Sequence, residues 1–268
     1  MPLHRSRTPA RARGRAHRAA AASALLPGAL LAGAVLSGCG ASSAQERVDV
    51  YAASSLTGAF TELAAAFEEQ HPGVDVALNF AGSADLAVQI AEGAPADVFV
   101  AADEPTMQRV VASGRAVAEP VELASNRLTI AVAEGNPHGV RSPADLRRAD
   151  LATVVCAEQV PCGRAARALE ERAGVALRPV SEENSVTDVL GKVRSGQADA
   201  GLVYVTDVAA HEDELDGVPL PGAAASANTY TVVGLDGAAQ DRAAEFTAFV
   251  TGPAGREQLR QDGFDVPG

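Results

Sequence analysis

The chain has no tryptophan, and aromatic residues make up only 4% of its 268 positions. Any core it builds is therefore aliphatic, packed from valine, leucine, isoleucine and alanine. Histidine is scarce where chemistry would need it. Beyond the first forty residues there are only His71 in a turn, His138 after Asn-Pro, and His211 in an acidic run. None ends a strand pattern, so a nucleophilic serine has no base beside it, and no G-x-S-x-G elbow occurs. The sequence also lacks H-E-x-x-H, an EF-hand loop and a G-K-[ST] phosphate grip. Its three cysteines include the pair in "CAEQVPC", Cys156 and Cys162, which is not C-x-x-C and so does not suit a redox enzyme. Basic residues are outnumbered 22 to 34, for a net charge of −12. Phosphate backbones demand lysine and arginine in number, which excludes nucleic acid as a partner. These absences describe a protein that is not an enzyme and carries no resident cofactor. One hydrolase reading stays open, with Ser54 or Ser55 as nucleophile, and a serine-reactive probe would reveal it.

The N-terminal region is distinctive. Residues 1–18 hold six arginines and no acid, and the apolar run "AAAASALLPGALLAGAVLSGCG" follows. A basic segment before an apolar one is a secretory signal. Ser23, Pro27 and the many Ala and Gly residues argue against a permanent membrane span. "LSGC", ending at Cys39, resembles the lipobox of bacterial lipoproteins, whose cysteine is lipidated and becomes the new N-terminus. The expected division is a lipoprotein-type signal peptide over 1–38 and a flexible tether over 39–47, with Cys39 holding the protein to the outer face of the cell membrane. The plainer alternative is an ordinary signal peptide with an incidental cysteine. Taking six leader arginines from 22 leaves 16 basic against 34 acidic residues, a net charge of −18. Such a protein repels anions at long range and has no basic stripe to attract them. Cys156 and Cys162 remain as an even pair in an oxidising compartment, a candidate disulfide.

From Val48 onward strand and helix patterns alternate. Val48, Val50 and Ala52 share one face of a strand, and Leu56, Phe60, Leu63 and Phe67 recur at helical spacing. "VDVALNF" and "ADVFVAA" read as strands, with helices after each. The alternation restarts at "NRLTIAVA", followed by "SPADLR" with Ser142 as cap and Pro143 at the first helical position, the strand "LATVVCA", and a helix from about Arg164 to Gly174. A further helix follows "SEENS", then the strands "ADAGLVYVT" and "NTYTVVGL", and finally two helices split by "TGP". This pattern predicts an α/β fold of parallel-type sheets in two lobes. The first lobe would take 48–124, the second 125–228, and residues 229–268 would return to the first, with strands crossing near "ASNRLTI" and "SANTYTV". One continuous sheet is the alternative that periodicity leaves open.

Ligands of open α/β sheets sit beyond the carboxyl ends of the strands. Here those junctions are "ASS" (53–55), "FAGS" (80–83), "EQVPCG" (158–163) and "SEENS" (181–185), rich in Ser and Gly. Each is the start of a helix, where free N–H groups and the positive end of the dipole form an anion cradle. For any single junction, a serine that merely caps its helix is the commoner case.

The motifs "AASSLT", "FAGSADLAVQI", "GAPADVFVAAD", "VPCG", "GLVY" and "GPAGREQL", in this order, resemble the periplasmic molybdate-binding proteins of ABC transporters. The resemblance spans essentially all of the chain after the leader. It implies a two-lobe periplasmic-binding-protein fold of type II, with a hinged ligand cleft that closes on a tetrahedral oxyanion. It further implies that the protein is a monomer which hands molybdate, and with it tungstate, to the membrane subunits of an ABC importer. Position by position, the family's ligand-binding serines fall on Ser55 and Ser83. Its backbone donors fall on Cys162, where alanine is commoner, and Val186, and its phenolic donor falls on Tyr204. A Cys156–Cys162 bridge would stiffen the loop that carries one of these donors. Asp85 follows Ser83 where a neutral residue is expected. A binder of sulfate or another oxyanion is the alternative within this class, and a lipoprotein without a small-molecule ligand lies outside it.

Overall fold

The computed structural model describes residues 46–268; the signal peptide, Cys39 and the tether up to residue 45 lie outside the described residues. The fold opens with β1 (Glu46–Ala53), α1 (Thr57–Gln70), β2 (Val74–Ala81), α2 (Ser83–Ala91), β3 (Val98–Ala101), α3 (Glu104–Ala112) and β4 (Val121–Asn126). Because β1 already pairs with β2 at Glu46, residues 46 and 47 belong to the sheet and not to the tether. The chain then crosses into β5 (Leu128–Ala133), β6 (Thr153–Cys156), α4 (Pro161–Ala173), β7 (Ser181–Glu183), α5 (Val186–Arg194), β8 (Ala200–Tyr204), α6 (Val205–Ala209) and β9 (Leu215–Val218). It returns through β10 (Asn228–Gly234), α7 (Gln240–Thr251) and α8 (Pro253–Gln261).

Two five-stranded sheets result, ordered β2-β1-β3-β10-β4 and β7-β6-β8-β5-β9. Each has a parallel trio and then two antiparallel strands. The two lobes are thus variants of one plan. In each, the fourth strand in sheet order is the one by which the chain arrives from the other lobe.

Local chemistry accounts for the elements. In α1 the buried residues Ala59, Phe60, Leu63, Ala64 and Phe67 form one stripe, at the spacing that an amphipathic helix requires. Gly73, at φ 100°, then turns the chain into β2. Phe67 and Phe60 meet Phe246 of α7 edge to face, at centroid distances of 5.2 and 6.2 Å. Burying each such ring contributes about 2–3 kcal/mol, which holds the C-terminal helices to the first lobe. The second lobe has an aliphatic core in which Tyr204 is the one aromatic.

Several expectations are corrected. "NRLTIAVA" is not one strand: the ladder breaks at Arg127, so β4 ends in the first sheet and β5 begins in the second. Asn126 fixes the break, accepting the Arg127 N–H at 2.9 Å and donating to Thr206 Oγ1 at 2.8 Å. The first sheet therefore keeps Ser125, Asn126 and Asn228, which the expected lobe limits gave to the second. "SPADLR" forms only a 3-10 turn over Pro143–Arg147. Helix α4 starts at Pro161, three residues before Arg164, because proline is preorganised for the first helical position. The short strands β7 and β9 escape the sequence reading, since "SEE" and "LDGV" carry no apolar alternation.

Candidate functional site

The five residues singled out, Ser55, Ser83, Cys162, Val186 and Tyr204, line one small pocket between the lobes. The first lobe supplies Ser55 at the β1 exit and Ser83 at the start of α2. The second supplies Cys162 in the first turn of α4, Val186 at the start of α5, and Tyr204 at the end of β8. Among the described residues, no charged side chain lines this cavity.

Most of the helix starts around the pocket are buried yet lack a side-chain cap. Ala53 stands before the 3-10 turn Ser54–Leu56 that leads into α1, and Gly82 and Val160 before α2 and α4; none provides a side-chain cap bond. At α4 Pro161 has no N–H to offer, so Cys162 bears the first one. At α5 Ser185 caps the helix through the Asp188 N–H (3.2 Å), so the Val186 N–H has no intrahelical partner. Ser83 and Cys162 are 2% and 4% exposed, so water cannot readily serve these starts. Buried helix ends without partners call for a ligand that accepts hydrogen bonds.

The side-chain donors are set up in the same sense. Ser83 Oγ accepts the Ala102 N–H at 3.1 Å, which leaves its own proton to donate. Ser55 Oγ lies 2.9 Å from the Tyr230 hydroxyl. If that phenol donates, the Ser55 proton is likewise released toward the cavity. The Tyr204 hydroxyl is buried and finds no hydrogen-bond partner among the described residues. Burial pushes the ionisation of both phenols well above the usual tyrosine range, so both remain protonated.

Cys156 and Cys162 are joined in a disulfide with Cα atoms 5.6 Å apart, tying the end of β6 to the first turn of α4. The turn is tight: a Cβ on Gly163 would lie 1.9 Å from the Ala157 carbonyl oxygen. Asp85 is exposed in the first turn of α2 and does not line the cavity, so it acts as an ordinary N-terminal acid on a helix. Sequence reasoning missed Tyr230, which supports Ser55, and Arg164, which reaches across the cleft. Tyr230 is one of three tyrosines and sits at a crossing strand, the only signal that could have marked it.

Two α/β lobes joined by crossing strands, with an uncharged pocket of donors in the cleft, define a solute-binding protein. The chain belongs to the family of bacterial extracellular solute-binding proteins, which matches residues 48–265. It is 45% identical over 229 residues to the molybdate-binding protein ModA of Mycobacterium tuberculosis, covering 85% of this chain and 88% of that relative. Among solved structures, the periplasmic molybdate-binding protein of Azotobacter vinelandii superposes with a TM-score of 0.69 at 21% identity, covering 82% of this chain and all of that one. The sulfate-binding protein SubI of Mycobacterium tuberculosis gives 0.70 at 19% identity, covering 82% and 86%. These two likenesses establish the fold and do not separate one oxyanion from another.

Proposed function

We propose that this protein captures molybdate, and tungstate with it, outside the cytoplasmic membrane and delivers it to the membrane subunits of an ABC importer. The observation that carries this reading is a buried pocket that no charged side chain lines and that offers several donors: uncapped helix starts, two serines and the partnerless Tyr204 hydroxyl. Kinship with a molybdate-binding relative at 45% identity supports the choice of ion. Ser55, Ser83 and Tyr204 donate through hydroxyls, and Cys162 and Val186 through backbone N–H groups. Each bond to an ionised acceptor is worth about 1.5–3 kcal/mol. A handful of them in a dry cleft outweighs the screened repulsion from a net charge of −18. A fully deprotonated tetrahedral dianion satisfies every donor, whereas hydrogen phosphate brings a proton that no lining carboxylate would accept.

Binding proceeds by closure. With the lobes apart, the helix starts are hydrated. As they close, the anion exchanges its water shell for fixed dipoles that need no reorganisation. Cys39 would hold the protein at the membrane through lipid, and one copy would suffice, since one chain supplies both walls of the pocket. Isothermal titration of residues 40–268 with molybdate, tungstate, sulfate and phosphate tests the proposal. Sub-micromolar binding of the first two alone is expected, and equal affinity for sulfate would overturn it.

A further inference from the structure

Arg164 projects from the fourth position of α4 in the second lobe and meets the first. Its Nε donates to Asp103 Oδ2, and its Nη2 to Thr106 Oγ1, both at 2.6 Å. Asp103 is only 6% exposed, and its other oxygen accepts the Thr106 N–H at 3.1 Å as the cap of α3. Arg164 Nη1 also donates to the Gln159 carbonyl, which anchors the guanidinium to the disulfide-bridged turn. None of Arg164, Asp103 and Thr106 lines the oxyanion cavity, yet Arg164 lies two residues from Cys162. Other contacts close the same seam. Asn228 Nδ2 donates both to Ala102 O of the first lobe (3.0 Å) and to Pro161 O of the second (3.3 Å). Ala84 of α2 is buried in the core of the opposite lobe.

We propose that Arg164, Asp103 and Thr106 form a latch across the cleft, so that these positioning residues set how long the ligand is retained. The inference rests on the proposed oxyanion function for its ligand but makes its own claim about closure. In the open cleft both charges are hydrated. Closing buries Asp103, and Arg164 is the cation that pairs with it. An unpaired charge buried on closure is costly, whereas removing both charges together is close to neutral. Arg164 therefore acts in the closed state alone, by sparing it a buried unpaired carboxylate, and its loss acts on release and not on encounter.

The test uses Arg164→Met, Asp103→Asn and the double variant. Asparagine also caps helices well, so α3 and the first lobe are left intact. Arg164→Met should release molybdate at least tenfold faster in stopped-flow displacement, with an association rate within about twofold of wild type. The double variant should recover most of that loss. Small-angle scattering provides a readout independent of the ion: the ligand-free protein exchanges between open and closed clefts, and Arg164→Met should shift that balance toward the larger radius of gyration. Unchanged release and unchanged scattering in Arg164→Met would overturn the latch, as would a double variant whose losses simply add. A wild type that gives no heat with molybdate but opens on Arg164→Met in scattering would remove the assigned ion and leave the latch standing.

Discussion

Gly82 offers a perturbation whose size follows from the geometry of the cleft. It is the last residue before α2, with φ −58° and ψ 130°, a conformation open to any residue. A Cβ placed there would lie 2.2 Å from the carbonyl oxygen of Asn184 and 3.7 Å from Ser185 Cβ, both in the opposite lobe. Ordinary contact begins near 3.4 Å, so the lobes must part by roughly 1 Å against a backbone atom that has no rotamer to change. That displacement stretches every hydrogen bond the two walls would share across an ion. Overpacking of this kind costs about 1–3 kcal/mol, which translates to about five- to 150-fold in affinity. The penalty exists only in the closed state, so it adds to the apparent dissociation constant without touching either lobe. The unfolded chain loses freedom when Gly becomes Ala, which stabilises by about 0.4–1 kcal/mol. Gly82→Ala should therefore bind molybdate more weakly by titration calorimetry while the ligand-free protein melts at or slightly above the wild-type temperature. Wild-type affinity in this variant would refute the contact across the cleft, and with it the closure on which the site depends. A melting temperature several degrees lower would place the role of Gly82 within the first lobe instead.

Two more predictions address the pocket and its surroundings. Ser83→Ala and Tyr204→Phe each remove one donor and should each weaken molybdate binding by about 1.5–3 kcal/mol, with the phenylalanine variant gaining stability when ligand-free because the partnerless hydroxyl is gone; full affinity in both would take these side chains out of the site. Asp207, in the first turn of α6, accepts the Tyr204 N–H at 2.8 Å, and burial, outweighing that bond, pushes its carboxyl up to about 7 from 3.8. Below about pH 4 both native and unfolded states hold this proton; between about 4 and 7 only the native state does, so stability falls as pH rises through that window and the loss is complete above 7. Asp207→Asn should flatten this decline and gain on the order of 3 kcal/mol at pH 8, and parallel stability curves for the two proteins from pH 5 to 8 would contradict it.

The βα alternation, the helix stripes and the capping residues lie open in the sequence because each arises from neighbours a few positions apart. Phe60, Leu63 and Phe67 announce α1 by spacing alone, and Gly174, left-handed at φ 62°, marks the end of α4 as the sequence suggests. The short strands β7 and β9 were illegible for the opposite reason: their place in the sheet comes from pairing with β6 and β5 and not from their own residues. The break at Arg127 depended on Asn126 finding Thr206, eighty positions away.

The candidate site divides along the same line. Taken alone, the sequence determined that serines and glycines occupy the exits of strands, that no histidine or lysine attends them, and that Cys156 and Cys162 are close enough in the chain to pair. It did not determine that these exits face one another, that Tyr230 supports Ser55, or that Arg164 spans the cleft to Asp103. Those are relations between residues 61 to 175 positions apart, and only the packing of two cores against a shared crossing brings them within hydrogen-bonding reach. Local propensity acts over a turn or a strand, whereas the convergence of dipoles on one point is a property of the folded whole.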